Sequence, residues 1–400
     1  MMRKLKFAAL MIPAAVMALL CGCGLWRPIE PMFEDRAVEL PPDATGTTTP
    51  ETTTETTTTT DVYTPDADED LREMVASMTL RERIGQLLLV SCSDEFSAKY
   101  AAEQGAGGLC LFAPVFQWKT ADDVRTMTSG FQSGAQIPML ISVDEEGGTV
   151  NRVSLNGNLR ETPFESPRAL NEQGGLNRIE NDTKEKAQFL LDLGINVNLA
   201  PVCDVPEAEG NFIYPRSFST DAKETAEYIR TVIGVMNGEH LGSCLKHFPG
   251  YGGSSDTHYG MAWDKRELDM FEKNDFLPFK AGVEEGADSV MVSHNIVECM
   301  DPDRPASLSP DVHKILREEL LFRGVIISDD LGMGAISSFT HQKNPAATAI
   351  IAGNDMICYS DFDGAVEAIT EAIETYKLKI QQVDDSVLRI LAWKRELGLI

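Results

Sequence analysis

The chain of 400 residues contains 35 Lys and Arg against 62 Asp and Glu, a formal net charge of -27, and 43% hydrophobic residues. This length allows two average domains or one large α/β barrel, and the negative charge without a dense basic run argues against nucleic acid as a partner. Eight cysteines without a CxxC pair indicate neither a disulfide framework nor a structural zinc module, so we expect no metal and no cofactor.

The first 22 residues have the pattern of an export signal. Three cations within the first six residues precede fourteen uncharged residues at 7–20, a stretch too short to span a bilayer. The segment Leu20–Cys23 resembles the lipobox of bacterial lipoproteins, and Cys23 fits better than Cys21, which follows a bulky leucine. We therefore expect export and a lipid anchor on Cys23 at the outer face of a bacterial membrane, with an uncleaved anchor helix as the alternative.

Residues 23–66 have the composition of a linker. From Thr45 to Thr64, thirteen of twenty residues are Thr and most others are Pro, Glu or Asp. Such a segment cannot bury a core, so we expect a disordered Thr-rich spacer between the anchor and the folded region. A glycosylated Thr tract is the alternative interpretation.

Eight short apolar runs follow the linker and alternate with stretches of helical periodicity. Continuous apolarity is typical of parallel strands covered on both faces, and eight strand-and-helix units in about 330 residues fit one (β/α)8 barrel. We therefore expect an α/β fold with a single TIM-type barrel over residues 67–400, and a doubly wound open sheet is the alternative. The runs are Leu87–Val90, Gly108–Phe112, Met139–Val143, Val197–Pro201, Ser243–Lys246, Ser289–Val292, Val325–Ile327 and Asp355–Cys358.

Polar side chains lie just after six of these runs. In a barrel the carboxyl ends of all strands face the same mouth, where active sites are built. We therefore expect residues that are distant in the sequence to form one site there. The segments concerned are Asp144–Gly148, Asp204, His247–Gly250, His294–Asn295, Ser328–Asp330 and Tyr359–Asp361.

Two adjacent carboxylates, Asp329 and Asp330, follow the seventh run. Neighbouring side chains on an extended strand point to opposite sides, so we expect them to have different roles. A carboxylate that projects into the mouth suits a nucleophile, whereas Asp330 is also a candidate cap for a helix that begins near Leu331.

A Gly- and Ser-rich loop at 250–255 leads to Asp256 and His258. Because residues i and i+2 of an extended segment face the same way, Asp256 can accept a hydrogen bond from one imidazole nitrogen and leave the other free to transfer a proton. Such a pair suits a general acid and base near neutral pH. The alternatives are an exposed loop with an incidental histidine and a phosphate-binding loop, for which the glycine spacing is wrong.

Taken together, five motifs resemble glycoside hydrolase family 3, in particular its β-N-acetylglucosaminidase branch. The resemblance extends from about Met78 to the end of the chain and implies a retaining, exo-acting enzyme with a barrel catalytic domain. The motifs, in chain order, are Val143–Gly148, Pro215–Ser219, Lys246–Gly250, Asp256–His258 and Ser328–Leu331.

The resemblance also implies roles for individual residues. Asp329 matches the family nucleophile, and His258, supported by Asp256, matches the acid and base of the branch. The residues implied to hold the sugar are Asp144, Arg216, Lys246 and His247. Asp204 and His294 are further candidates for substrate contact or for orienting a neighbour, and Glu145 and Glu146 are either rival catalytic carboxylates or partners of Arg152 and nearby backbone.

The loop differs from the pattern of many relatives. Tyr251 and Gly253 replace a His and an Asp, and the loop to His258 is one residue shorter, so Tyr251 either stacks on a sugar or packs the loop against the barrel. We expect hydrolysis of terminal N-acetylglucosamine from oligosaccharides, either cell-wall muropeptides or chitin oligomers. A β-glucosidase or xylosidase of the family and an inactive sugar-binding lipoprotein are the alternatives.

Overall fold

Ten strands form the sheets of the computed structural model, which describes residues 69–341 and 343–400. Eight of them form one parallel sheet in the order β4-β3-β2-β1-β10-β9-β7-β5, and β6 pairs with β8 in a separate sheet. The strands are β1 (Leu88–Cys92), β2 (Gly108–Leu111), β3 (Leu140–Val143), β4 (Val197–Asn198), β5 (Cys244–Phe248), β6 (Trp263–Asp264), β7 (Ser289–Val292), β8 (Ile296–Val297), β9 (Val325–Ser328) and β10 (Met356–Cys358).

The two ends of the large sheet are joined, so the sheet is a nearly closed barrel. Val197 of β4 pairs with Gly242, just before β5, and Val202 pairs with Lys246 of β5, both in parallel. The expected TIM-type barrel is therefore confirmed, and each of the eight predicted runs overlaps one barrel strand. Strands β2, β3, β7 and β9 are buried along their whole length, as continuous apolar runs require.

Helices follow the strands and cover the outside of the sheet. Thr79 and Thr120 begin two of them with capping boxes, in which each threonine and the acidic residue three positions later bind each other's backbone N–H. The α-helices are α1 (Glu69–Ser77), α2 (Leu80–Gln86), α3 (Glu95–Glu103), α4 (Ala113–Phe116), α5 (Ala121–Gly134), α6 (Pro167–Asp192), α7 (Ala222–Glu239), α8 (Leu268–Met270), α9 (Phe276–Glu284), α10 (Pro310–Lys314), α11 (Gly334–Phe339), α12 (Ala346–Ala352), α13 (Phe362–Glu374) and α14 (Ile380–Glu396).

One lysine is fully buried at the amino ends of the barrel strands. Lys394 of α14 donates from Nζ to Oε1 of Gln86 at 2.7 Å, and Gln86 lies at the end of α2 just before β1. Burial lowers the pKa of Lys394 to about 7. Among the described residues, the hydrogen-bond partner of Lys394 is the uncharged amide oxygen of Gln86, so ionisation of this lysine opposes folding.

The predicted signal peptide, the linker and Cys23 lie outside the described residues. Within residues 69–341 and 343–400, no helix combines the length and apolar character needed to cross a membrane. The cysteines at 110, 203, 244 and 358 are buried free thiols, as expected for small hydrophobic residues in or beside strands.

Candidate active site

A cluster of opposite charges occupies the carboxyl ends of β3 and β5. Lys246 Nζ lies 2.7 Å from Oδ1 of Asp144 and 2.6 Å from Oε1 of Glu146. Arg216 binds the same Glu146 carboxylate with two donors, Nε at 2.9 Å and Nη2 at 2.7 Å. The side chains of Lys246 and Glu146 are only 2% and 1% exposed, so these charges compensate one another almost without water.

The ion pairs in this cluster determine whether the pKa of each member is raised or lowered. Burial opposes ionisation of Glu146, but the guanidinium of Arg216 and the ammonium of Lys246 outweigh it and lower the pKa of the carboxyl. For Asp144, Lys246 and Arg152 likewise outweigh burial and lower the pKa. The pKa values of both cations are raised, so all members of the cluster are ionised at neutral pH.

His247 is fixed in one tautomer by its two neighbours. Its Nε2 lies 3.1 Å from Nη2 of Arg216, a group that can only donate, so Nε2 accepts. Its Nδ1 therefore carries the proton and donates to Oδ2 of Asp204 at 2.7 Å. Asp204 also accepts from the backbone N–H of His247 and, through Oδ1, from that of Tyr251. These bonds are compatible with the second of the two roles expected for Asp204, that of orienting a neighbour.

Asp329 stands at the end of β9 with its carboxylate held by backbone. Its Oδ1 accepts from the N–H of Asp330 at 2.8 Å. Burial opposes ionisation, but the positive charge that His294 and His247 carry when protonated, together with this backbone N–H, outweighs it and lowers the pKa of Asp329. The side chain is therefore an unprotonated carboxylate at neutral pH, the form that a nucleophile requires.

His294 acts on the backbone beside Asp329 instead of lining the cavity. Its Nε2 donates to the carbonyl of Asp330 at 2.9 Å, and its Nδ1 lies 2.7 Å from Oγ of Ser307. Burial lowers the pKa of His294, in agreement with a neutral ring that donates once and accepts once. These contacts are compatible with the orienting role, one of the two roles expected for His294.

Asp330 does not cap the helix near Leu331 that the sequence suggested. The helix, α11, begins at Gly334 after Met333, and no side chain caps it. Asp330 Oδ1 instead accepts from the N–H of Gly332 at 2.8 Å, in a tight turn that precedes the helix. The physical reason is that the backbone after β9 turns before it becomes helical.

Asp256 and His258 form the predicted pair. Oδ1 of Asp256 accepts from Nδ1 of His258 at 2.6 Å and from its backbone N–H at 2.9 Å. The carbonyls of Thr257 and His258 accept from the N–H groups of Ala335 and Gly334 in the first turn of α11. The imidazole is 59% exposed, and Nε2 has no hydrogen-bond partner recorded among residues 69–341 and 343–400, so it is free to exchange a proton.

Tyr251 packs the loop against the barrel. It is 2% exposed, and its hydroxyl lies 2.7 Å from Oγ1 of Thr257. Its ring meets Phe212 and His247 edge-on, with centroids 4.9 and 5.2 Å apart. The tyrosine therefore connects the loop of His258 to the wall that carries His247.

The two neighbouring glutamates have different partners. Glu145 is buried and accepts from the N–H groups of Arg152, Val153 and Ser154, which agrees with the expected backbone pairing. Glu146 pairs with Arg216 and Lys246, so the expectation that it pairs with Arg152 or nearby backbone is wrong. Arg152 instead binds Oδ2 of Asp144 at 3.2 Å. The sequence placed Glu146 at the mouth but not its pairing with Arg216 and Lys246, nor that of Arg152 with Asp144.

A cavity of about 250 Å³ connects these groups, a volume near the lower end of ligand pockets and suited to one sugar ring. Six of the nine residues expected to be catalytic or to contact the sugar line it, together with Glu146, Tyr251 and Asp330; the six are Asp144, Arg216, Lys246, His247, His258 and Asp329. Asp204, His294 and Asp256 lie behind these and hold them in place. Among the described residues no cluster of three or more potential metal ligands occurs.

Comparisons with known proteins agree with this geometry. The family model for the glycosyl hydrolase family 3 N terminal domain matches residues 79–393. A β-hexosaminidase of Xanthomonas campestris pv. campestris is 33% identical over 279 residues, which are 68% of this chain and 83% of that protein.

Solved structures show the same barrel. A family 3 β-N-acetylglucosaminidase from Paenibacillus sp. str. FPU-7 superimposes with a TM-score of 0.75 at 28% identity, over 81% of this chain and 63% of that one. A β-glucoside phosphorylase is similar in fold, with a TM-score of 0.73 at 20% identity over 84% of this chain and 62% of that one. The chain therefore belongs to glycosyl hydrolase family 3 and is a glycoside hydrolase.

Proposed function

We propose that this protein is an exo-acting, retaining β-N-acetylglucosaminidase that removes terminal N-acetylglucosamine from cell-wall fragments or chitin oligomers. One observation carries the proposal: an Asp256–His258 pair with a free imidazole nitrogen and a buried, ionised Asp329 face one cavity of sugar size. The names of the relatives, a β-hexosaminidase and a β-N-acetylglucosaminidase, support the same sugar.

In the first step, a carboxylate oxygen of Asp329 attacks the anomeric carbon and forms the glycosyl-enzyme. The bond to the leaving oxygen breaks, and the protonated imidazole of His258 gives that oxygen its proton. Asp256 accepts from Nδ1 throughout, which aims Nε2 at the cavity and stabilises the imidazolium before the transfer.

In the second step, neutral His258 takes a proton from a water molecule that attacks the anomeric carbon. The bond to Asp329 breaks, the carboxylate is restored, and the sugar leaves with retained configuration. The same imidazole therefore acts first as acid and then as base.

The charge cluster supplies the groups that hold the ring. Asp144, Lys246, Arg216 and His247 line the cavity with acceptors and donors fixed by their mutual bonds, so substrate hydroxyls and the acetamido group meet a preformed array. Groups fixed before binding lose little entropy when the sugar arrives, which favours a productive pose.

The proposal includes the cell compartment. The basic and apolar N-terminus and the lipobox-like segment support export and a lipid on Cys23, with residues 23–66 as the spacer. A Cys23→Ala variant that still fractionates with membranes contradicts the anchor.

The test compares two chromogenic substrates. The purified enzyme is expected to cleave an aryl N-acetyl-β-glucosaminide much faster than the corresponding aryl β-glucoside, and Asp329→Ala abolishes both activities without unfolding the protein. Faster cleavage of the glucoside overturns the sugar assignment. Sugar binding without any cleavage by the parent enzyme overturns the catalytic proposal.

The acid role of His258 has its own test. His258→Asn is expected to lower kcat/KM for chitobiose by about 100-fold or more, and to lower it less for an aryl substrate, whose leaving group needs less protonation. The matched control is His240→Asn, which alters an exposed histidine at the end of α7. Equal losses on both substrates contradict proton donation by His258.

The natural substrate is then identified from products. Mass spectrometry of reactions with purified wall fragments and with chitobiose, run side by side, shows which one releases N-acetylglucosamine at the higher rate.

A further inference from the structure

A second groove adjoins the catalytic cavity at the mouth of the barrel. It measures about 390 Å³ and is lined by Ala113, Pro114, Gln117, Trp118, Arg152, Leu155, Asn156 and Gly157. Arg152 lines both spaces, and Phe112 of the cavity precedes Ala113 of the groove. The groove therefore lies next to the place where the proposed chemistry occurs, with Arg152 between the two spaces.

An exposed indole forms part of this groove. Trp118 is 81% exposed and Leu155 is 58% exposed, a degree of apolar exposure that a folded protein normally avoids for a pair of large side chains at one place. The charged members of the cavity wall do not cover them. A molecule that covers the indole face therefore removes apolar surface from water, which favours its binding.

The loop that carries the indole is held in place. Trp118 has φ of +66°, a left-handed conformation that a bulky residue adopts only when its surroundings impose it. The side-chain amide of Asn156 donates to the carbonyls of Phe116 and Lys119, both at 2.8 Å, and so clamps the chain on either side. Lys119 also binds Glu95 at 2.7 Å. The indole is thus presented on a fixed support, which lowers the entropy lost when a ligand binds.

Arg152 connects the two spaces physically. Its guanidinium binds Asp144 and lies over the ring of Phe112, 5.3 Å from the centroid. Its Nε is buried without a hydrogen-bond partner among the described residues. The Arg152 side chain as a whole is 25% exposed, so an occupant of the groove that brings acceptor oxygens can contact its accessible part.

We propose that this groove is the leaving-group subsite, in which the sugar next to the cleaved bond packs its C–H face on Trp118. The inference rests on the proposed function. Because an exo-acting enzyme places the terminal sugar in the cavity, the part of the substrate left to enter an adjoining groove is the saccharide beyond the cleaved bond. A β-linked N-acetylglucosamine has an apolar face of ring C–H groups for the indole and hydroxyl oxygens for Arg152.

The kinetic test compares two substrates that differ only in the leaving group. N-acetyl-β-glucosaminyl fluoride has no second sugar, whereas chitotriose fills the groove. Trp118→Ala is expected to lower the ratio of kcat/KM for chitotriose to kcat/KM for the fluoride about tenfold, the equivalent of about 1.4 kcal/mol. Trp118→Phe, which keeps an aromatic face, restores most of the ratio.

The matched control is Tyr376→Ala. Tyr376 is 95% exposed and also has a positive φ, of 59°, but it lies after α13, the helix that runs back from the carboxyl end of β10. This variant leaves the ratio unchanged. An unchanged ratio in Trp118→Ala overturns the subsite.

A binding measurement separates this inference from the proposed function. Calorimetry with chitobiose uses Asp329→Ala, which holds the sugar without cleaving it, and the same variant with Trp118→Ala, for which Kd is expected to rise about tenfold. If the parent enzyme cleaves neither substrate, the proposed function fails while the binding result still decides the subsite. Equal Kd values, or a Trp118→Ala effect confined to self-association or vesicle binding, overturn it.

Discussion

Replacing Lys394 by methionine is expected to stabilise the protein at neutral pH and to remove a pH dependence. The ammonium group is fully buried, and its one recorded hydrogen bond in the described chain goes to Oε1 of Gln86. Methionine has a similar length and no charge, so it fills the same space without the desolvation penalty.

The magnitude follows from the shift of the Lys394 pKa, which burial lowers from 10.5 to about 7. At 1.36 kcal/mol for each pKa unit, the charged form costs the folded state about 5 kcal/mol. Because the folded pKa is below the unfolded one, the unfolded chain binds more protons between these two values. The cost is therefore complete below about pH 7, decreases as the pH rises, and disappears above about pH 10.5.

The assay is urea unfolding followed by circular dichroism at pH 7 and pH 9. The advantage of Lys394→Met over the parent, after correction for the lost bond to Gln86, is expected to shrink by about 2 kcal/mol across this interval. Taking the difference between the two proteins cancels every other titrating group. The control, Lys99→Met, changes a lysine that is 69% exposed and shows no such slope.

A difference between parent and Lys394→Met that stays constant from pH 7 to pH 9 refutes the reasoning. A constant difference means that charging Lys394 costs no more free energy in the folded protein than in the unfolded chain. This requires an anionic or hydrated partner for Nζ.

Three further predictions concern the site. Glu146→Gln leaves two buried cations short of one negative charge, and urea unfolding is expected to show a loss of about 3 kcal/mol, against no change for the exposed Glu161→Gln. Asp204→Asn removes the carboxylate that fixes the tautomer of His247. Steady-state kinetics are expected to show a loss of kcat/KM of about 10- to 100-fold, with an unchanged fold by circular dichroism. Tyr251→Phe removes the hydroxyl bond to Thr257 and is expected to lower kcat/KM about fivefold, more on chitobiose than on an aryl substrate; equal losses contradict a role in placing the acid.

The barrel was predictable because its strands are covered on both faces. Parallel strands in this position consist of continuous apolar runs, and eight such runs at regular spacing allow few architectures. The lengths of the strands were harder to predict than their positions. The run Val197–Pro201 yields a strand of two residues, Val197–Asn198, and Pro201 has no N–H to continue a ladder.

The site was predictable in membership but not in its internal pairing. The order of strand ends indicates which residues meet at the mouth, but the direction of each side chain depends on backbone turns that a sequence does not show. Asp204 and His294 thus had two open roles, and in the structure each is hydrogen-bonded to a neighbouring residue of the site.

The pairing of Glu146 was not predicted because its partners, Arg216 and Lys246, are 70 and 100 residues away in the sequence. A usable signal was present in the charge balance. Two cations, Arg216 and Lys246, were expected in one buried mouth, and buried cations require carboxylates in contact. Glu146 is one of the few carboxylates near the end of β3. The need of the two cations for carboxylates therefore favours an ion pair for Glu146 over a pairing with local backbone.

The exposure of His258 has a consequence for how protons reach the site. In the proposed cycle the imidazole loses one proton to the leaving group and recovers one from water, so a complete turnover requires no net supply. Because 59% of the side chain is in contact with solvent, the imidazole can also re-equilibrate with buffer whenever the cavity is empty. The barrel interior therefore needs no internal relay of proton carriers, and its charged residues are left to bind the sugar.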